Sequence, residues 1–308
     1  ALVGAVFLGT PAAAVPSLSA LADVADVDLV ITQPDRPAGR GKRIVQSAVA
    51  TAATQFGFPT VKPQTKADLL AALGTGSHDF GLVVAYGRIL TPEMIATTRL
   101  GFLNVHFSLL PRWRGPAPVE RAIAAGDERT GVTLMMIDEA LDTGPVLAEI
   151  ATPIGPTETG GSLTARLAFL GGVLVDDTVP DLLNGRRSPV PQIDAHVTHA
   201  SMLTKHEALL DPAWSPERAE RTIRAFQPRP GAWLSLPEGA LKVHAARLGM
   251  PGTAAGQIVR DAGRVFAGFT DGSVELLTVQ PEGKQPVPAD AWMNGRRGEP
   301  SSFSVSSQ

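Results

Sequence analysis

Along the first part of the chain, short continuously apolar runs alternate with Ala-rich stretches of helical composition. The runs occupy positions 2–8, 27–32, 80–85 and 102–105, and the helical stretches include 48–56 and 66–73. A strand that is apolar on both faces must be covered on both, so the pattern predicts a parallel sheet with helices on either side. Two later runs, 131–137 and 146–154, flank the polar segment 138–145 and predict added edge strands, and 161–183 predicts a closing helix. The turn-and-proline composition that follows reads as a linker, taken as 188–206. Beyond it, Ser215 before Pro216 predicts a capped helix over 216–225. Five short β-type runs then follow, at 233–236, 241–245, 256–259, 265–269 and 274–279, punctuated by Gly and Pro. They predict a small antiparallel barrel of the OB-like kind. The expected domains are therefore 1–187 and 207–308.

Composition narrows the function classes. With 308 residues and no cysteine, the chain can bury two cores but offers no disulfide framework, thiolate metal site or cysteine nucleophile. At 44% hydrophobic and 19% charged it is globular rather than disordered. The opening stretch has no basic residue before Arg36 and is interrupted by Pro11 and Pro16. It reads as a buried strand and turn, neither a secretion signal nor a membrane span. A net charge of −3 argues against an indiscriminately basic nucleic-acid binder, although one segment departs from the mean. Residues 33–43 carry Arg36, Arg40, Lys42 and Arg43 against the single acid Asp35, set among Gly and Pro. No regular structure is expected there, and the cations should project from a mobile loop.

The densest polar chemistry is the run Asn104-Val105-His106-Phe107-Ser108-Leu109-Leu110-Pro111, at the end of an expected buried strand. Ligands of open parallel sheets bind outside the carboxyl ends of the strands. Strand alternation puts Asn104 and His106 on one face and turns Phe107 away. A second exit loop, 138–144, contributes Asp138, Glu139 and Asp142. An amide, an imidazole and a carboxylate can together stabilise an oxyanion and move protons. No activated nucleophile accompanies them, so direct group transfer fits better than a covalent intermediate. A single histidine at a strand end is more often structural than catalytic, and that reading stands beside the functional one. His196 and His199 have H-x-x-H spacing but too few companions for zinc, and no metal is expected. The Gly9-Thr10-Pro11 turn and the Gly39–Lys42 stretch match neither nucleotide-binding glycine motif.

These residues carry a resemblance. Thr32 through Lys42 (T-Q-P-D-R-P-A-G-R-G-K), Val84-Ala85-Tyr86-Gly87, the Asn104/His106 run with Arg112-Trp113-Arg114-Gly115, and Leu141-Asp142-Thr143-Gly144 resemble the methionyl-tRNA formyltransferase family. Arg224-Ala225-Phe226-Gln227-Pro228 and residues 276–281 extend the resemblance over nearly the whole chain. It implies a Rossmann-like α/β formyltransferase domain followed by an OB-like tRNA-binding domain. It also implies formyl transfer from 10-formyltetrahydrofolate to the α-amino group of methionyl initiator tRNA, releasing tetrahydrofolate, in a cytoplasmic monomer without membrane contact. Catalytic roles map onto Asn104, His106 and Asp142, and folate binding onto Tyr86, Gly87, Ser108, Leu109, Leu110 and Pro111. Binding of tRNA maps onto Arg36, Arg40, Lys42 and Arg43, with Lys205, Arg296 and Arg297 as contributors from the later part of the chain. Phe107 departs from the glycine many members have. Two rivals stay open: a formyltransferase with a small amine acceptor, which would not need the cationic loop, and an RNA-binding module on a degenerate enzyme fold.

Overall fold

Each apolar run becomes a strand in the computed structural model, which describes residues 3–38, 43–76, 78–296 and 299–305. The chain divides into two compact units, one of residues 1–118, 129–153 and 164–200, the other of 119–128, 154–163 and 201–308. In chain order the elements up to the second unit's barrel are β1 (Gly4–Gly9), α1 (Val15–Val24), β2 (Asp26–Ile31), β3 (Arg36–Ala38), β4 (Arg43–Val45), α2 (Ala48–Phe56), β5 (Thr60–Val61), α3 (Lys66–Gly74), β6 (Phe80–Val84), α4 (Pro92–Ile95), β7 (Phe102–His106), α5 (Pro118–Ala125), β8 (Arg129–Met136), β9 (Val146–Pro153), α6 (Gly160–Leu183) and α7 (Pro216–Ala225). Then come β10 (Trp233–Leu236), β11 (Gly239–Leu248), β12 (Gln257–Asp261), β13 (Arg264–Phe269), β14 (Gly272–Pro281), β15 (Val287–Pro288), α8 (Ala289–Gly295) and β16 (Ser301–Ser302).

The first unit holds a seven-stranded sheet ordered β5-β2-β1-β6-β7-β8-β9, parallel from β5 to β7 and antiparallel through β8 and β9. This is a Rossmann-like arrangement, with the reversal of strand order falling between β1 and β6. One expectation needs correcting: β8 is not an edge strand. It is buried from Thr130 to Met135, with β7 on one side and β9 on the other. A continuously apolar strand needs cover on both faces, whereas β9 alternates half-buried and exposed positions from Ala148 onward, as an edge strand can. Val6, Leu8, Ile31, Leu69, Leu73 and Phe102 pack one core of this unit. On α6, Gly171 and Gly172 allow close approach: a Cβ at Gly172 would lie 3.0 Å from the Pro16 carbonyl, and one at Gly171 would lie 2.9 Å from Val105 and 3.7 Å from the Phe107 ring. Phe107 is therefore packed under α6, on the face opposite Asn104 and His106.

The cationic segment supplies the second correction, because its flanks are regular. β3 and β4 pair antiparallel, with Arg36 opposite Val45 and Ala38 opposite Arg43. Pro37 takes part because an edge ribbon tolerates a residue without a donor. The Thr32 and Ser47 hydroxyls lie 2.7 Å apart at the root of this ribbon, and Asp35 pairs with Lys62 at 2.6 Å.

The second unit contains the expected antiparallel barrel. Its strand order is β10-β11-β14-β13-β12-β16, with β15 on β14, so two short strands join the five read from the sequence. Ser215 caps α7 by accepting from the Arg218 N–H at 3.3 Å. Leu234, Leu241, Val243, Ile258, Val265, Phe269 and Leu276 fill the interior with Ile223 of α7 and Met293 of α8. A helix at α8 was not expected.

Glu275 on β14 accepts from Arg247 at 2.8 and 3.0 Å and from Arg264, and these guanidinium hydrogen bonds hold its carboxyl down to about 2. A depressed carboxyl contributes stability above the unfolded value of about 4.3 and loses it as pH falls toward the folded value. Because both arginines are substantially exposed, the contribution is about 1–2 kcal/mol at neutral pH. Glu275→Gln should therefore lower Tm by a few degrees at pH 7, and the gap should close as both proteins are taken from pH 4.5 toward pH 2. A gap of constant size across that range would contradict the assignment.

Candidate active site

His106 ends β7 and Asp142 lies in the loop after β8, and the fold brings them together although 36 positions separate them. His106 Nδ1 stands 3.6 Å from Asp142 Oδ2, and both side chains are below one-tenth exposed. His106 Nε2 lies 2.8 Å from the Trp113 carbonyl. A carbonyl only accepts, so Nε2 carries a proton and the Nδ1 edge faces the carboxylate. Asp142 Oδ2 also accepts the Gly115 N–H at 2.8 Å. Asn104, two positions before His106 on the same face, is half-buried, and its side-chain amide makes no hydrogen bond among the described residues. At the carboxyl end of β7 the structure does not show a directly hydrogen-bonded trio: the imidazole and carboxylate are just beyond hydrogen-bond range, and the Asn104 amide has no hydrogen-bond partner among the described residues.

Among the described residues, three of the five non-glycine positions at positive φ follow the ends of β6, β7 and β8: Ala85 at 47°, Trp113 at 64° and Asp142 at 56°. Backbone held in the left-handed region costs energy and persists where surrounding contacts over-determine it. Gly144 explains part of that constraint, because a Cβ there would lie on the Met136 carbonyl oxygen and 2.9 Å from its carbon. Gly115, at φ 124°, has a similar reason: a Cβ would lie 2.7 Å from the Ala200 carbonyl.

The residues that the resemblance assigns to folate divide into two groups. Tyr86 is buried in the core, where its hydroxyl has no partner among the described residues and burial pushes the phenol upward, and its carbonyl accepts Thr10 Oγ1 at 3.0 Å and Gln33 Nε2 at 3.2 Å. Ser108 is fully buried and donates to the Arg112 carbonyl at 2.6 Å, while its own carbonyl accepts Thr133 Oγ1 at 2.7 Å. Leu109 packs on Gly131, and Leu110 is buried. Gly87 is exposed and Pro111 half-buried. The Tyr86 and Ser108 side chains thus build the crevice rather than face it.

Among the proposed tRNA contacts, Arg36 and Arg43 are exposed on the ribbon, and Arg40, Lys42 and Arg297 lie outside the described residues. Lys205 is exposed. Arg296 is engaged instead, paired with Glu238 and placed 5.4 Å from the centre of the Trp292 ring. Among the described residues no group of three or more His, Cys, Asp and Glu could hold a metal ion.

The formyl transferase family pattern matches residues 6–178, and that of the formyl transferase C-terminal domain matches 202–297. Among curated relatives, methionyl-tRNA formyltransferase of Halorhodospira halophila is 45% identical over 96% of this chain and 98% of its own. That of Stutzerimonas stutzeri is 43% identical over 95% and 94%. The chain belongs to the methionyl-tRNA formyltransferase family. In fold it is similar to an N-formyltransferase from Helicobacter canadensis solved with folinic acid and dTDP-3-aminofucose, with a TM-score of 0.68 and 17% identity over 89% of this chain and 99% of that one. HypX from Aquifex aeolicus gives a TM-score of 0.67 at 15% identity, with 96% of this chain covering 48% of that one.

In this formyltransferase, sequence reasoning overlooked the residues that hold the loops. Thr10 and Gln33 converge on the Tyr86 carbonyl where the strand order reverses, and Gln33 also roots the cationic ribbon. Arg114, Gln192 and Thr198 tie the two left-handed turns to a stretch that reads as linker. That stretch is bound to the first unit as far as Ala200: Val190 exchanges two 2.8 Å hydrogen bonds with Val146, and Ala200 N donates to the Arg114 carbonyl at 2.7 Å. The only sequence signal was Gln192 itself, an amide among prolines, which has no distinctive periodicity.

Proposed function

We infer that the protein transfers the formyl group of 10-formyltetrahydrofolate to the α-amino group of methionyl initiator tRNA, releasing tetrahydrofolate. The observation that carries this reading is the His106–Asp142 pair at the end of β7, with the Asn104 amide two positions earlier on the same strand face, in a chain aligned over 96% of its length with an enzyme of that name. In the reaction the amine nitrogen bonds to the formyl carbon, the carbon–N10 bond of the folate breaks, and one proton passes from the amine to N10. Asn104 donates to the oxygen that gains charge, where a preorganised donor acts more strongly than water. Asp142 stabilises the positive charge that His106 acquires as protons move, and the Trp113 carbonyl keeps the ring oriented. Exposed Gly87 and half-buried Pro111 border the space the folate would enter, and the buried Tyr86 and Ser108 shape it from behind.

The ribbon favours the tRNA acceptor over a small amine, because Arg36 and Arg43 stand exposed on strands rooted next to the Tyr86 turn. The cytoplasm is the corresponding location, since charged initiator tRNA is used there. Among the described residues no helix is long and apolar enough to cross a membrane. Incubation with 10-formyltetrahydrofolate and charged initiator tRNA should yield formylmethionyl-tRNA. Turnover on a small amine without turnover on tRNA would reverse the acceptor assignment. If Arg43 contacts a phosphate, Arg43→Gln should reduce the slope of log affinity against log salt by about 1. An unchanged slope would remove Arg43 from the RNA interface.

A further inference from the structure

The two left-handed residues that grip His106 are held by one strap, residues 189–200. Trp113 offers its carbonyl to one edge of the ring, and its own N–H donates to Thr198 Oγ1 at 2.9 Å. Asp142 faces the other edge, and its carbonyl accepts Gln192 Nε2 at 2.9 Å. The same amide nitrogen donates to the Gly144 carbonyl at 2.8 Å, across the turn that Asp142 occupies. Gln192 Oε1 in turn accepts from Arg114 Nε and a terminal guanidinium nitrogen at 3.1 and 2.8 Å. Arg114 precedes Gly115, whose N–H donates to the Asp142 carboxylate, so the hydrogen bonds close a ring.

We propose that Gln192 is a positioning residue for formyl transfer, fixing the Asp142 carboxylate against His106 through this ring. Both donors of its amide and its acceptor oxygen are committed, and none of these bonds reaches the space beside Asn104. The ring supplies what a left-handed aspartate needs: its own carbonyl and that of Gly144, both on the C-terminal side of its Cα, pinned by one side chain, and the carboxylate pinned by a third peptide. Catalytic geometry is sensitive on the scale such a restraint controls, since a misplacement of about 1 Å can cost roughly 10²-fold. The proposal rests on Asp142 and His106 forming the working pair. It adds that the strap, which lies between the two matched family patterns, is part of the site.

Gln192→Glu tests it in the full-length protein. The carboxylate keeps a partner for Arg114 but has no hydrogen to give the Asp142 and Gly144 carbonyls. The expected result is a kcat roughly 10–100-fold lower with KM for both substrates within about threefold, because the groups that bind substrate are untouched. In an Asp142→Asn background the same change should cost less than about threefold more, since a residue acting through Asp142 has nothing left to position. If Gln192→Glu melts below the assay temperature, Gln192→Met, which is similar in length and also lacks the donors, takes its place with the same expectation. Full activity of the Gln192 variant alongside an impaired Asp142→Asn protein overturns the proposal alone, as do losses that multiply in the double variant. An unimpaired Asp142→Asn protein overturns the reading of the site, and the proposal with it.

Discussion

Replacing His106 by alanine is expected to lower kcat for formyl transfer by roughly 10²–10⁴-fold, the range for losing acid–base or oxyanion assistance. Affinity for folate and tRNA should change little, because the ring is directed at Trp113 and Asp142 rather than along the cationic ribbon. Some loss of stability accompanies it. The ring is 6% exposed, and its removal leaves the Trp113 carbonyl without that donor, a cost of about 1–3 kcal/mol. Single-turnover measurement with saturating tRNA separates the effects, since instability lowers the fraction of active enzyme and not the rate constant of the remainder. A rate constant within about threefold of the parent would make His106 a structural residue.

Gly144→Ala should be nearly as damaging although it removes nothing. The added methyl would collide with the Met136 carbonyl, which belongs to β8 and cannot swing away as a flexible side chain could. The 138–145 turn has to move, and with it the Gly144 and Asp142 carbonyls that Gln192 holds at 2.8 and 2.9 Å. Overpacking of this kind costs about 1–3 kcal/mol, and displacement of the carboxylate should reduce kcat by roughly 10²-fold. Thermal unfolding together with initial rates checks both parts. An alanine variant with parental kcat would show that the turn tolerates displacement and that the placement of Asp142 is not critical.

Much of the architecture was legible because its signals are local. The apolar runs at β1, β2, β6 and β7, the helical segments at α2 and α3, and the Ser215–Pro216 cap depend on periodicity and capping chemistry within a few residues. Asn104 and His106 were legible as a pair because alternation along one strand puts them on one face. The β3–β4 ribbon was missed for the converse reason: Pro37 and the glycines disfavour regular structure locally, and pairing between Arg36–Ala38 and Arg43–Val45 overrides that preference.

Sequence by itself determined the first sheet's strands other than β5, the capped α7 helix, the five main barrel strands and the shared face of Asn104 and His106, while Asp142 stood out from Asp138 and Glu139 only through the family resemblance. Tertiary structure alone decided that β8 is interior, that the Tyr86 and Ser108 side chains face inward, and that the segment from Val190 to Ala200 is bound to the first unit rather than spanning freely. The physical reason is range. Burial and turn chemistry act between neighbours in sequence, whereas the Gln192 amide finds the Asp142 and Gly144 carbonyls 50 and 48 positions away, and only a completed fold can make those contacts cooperative.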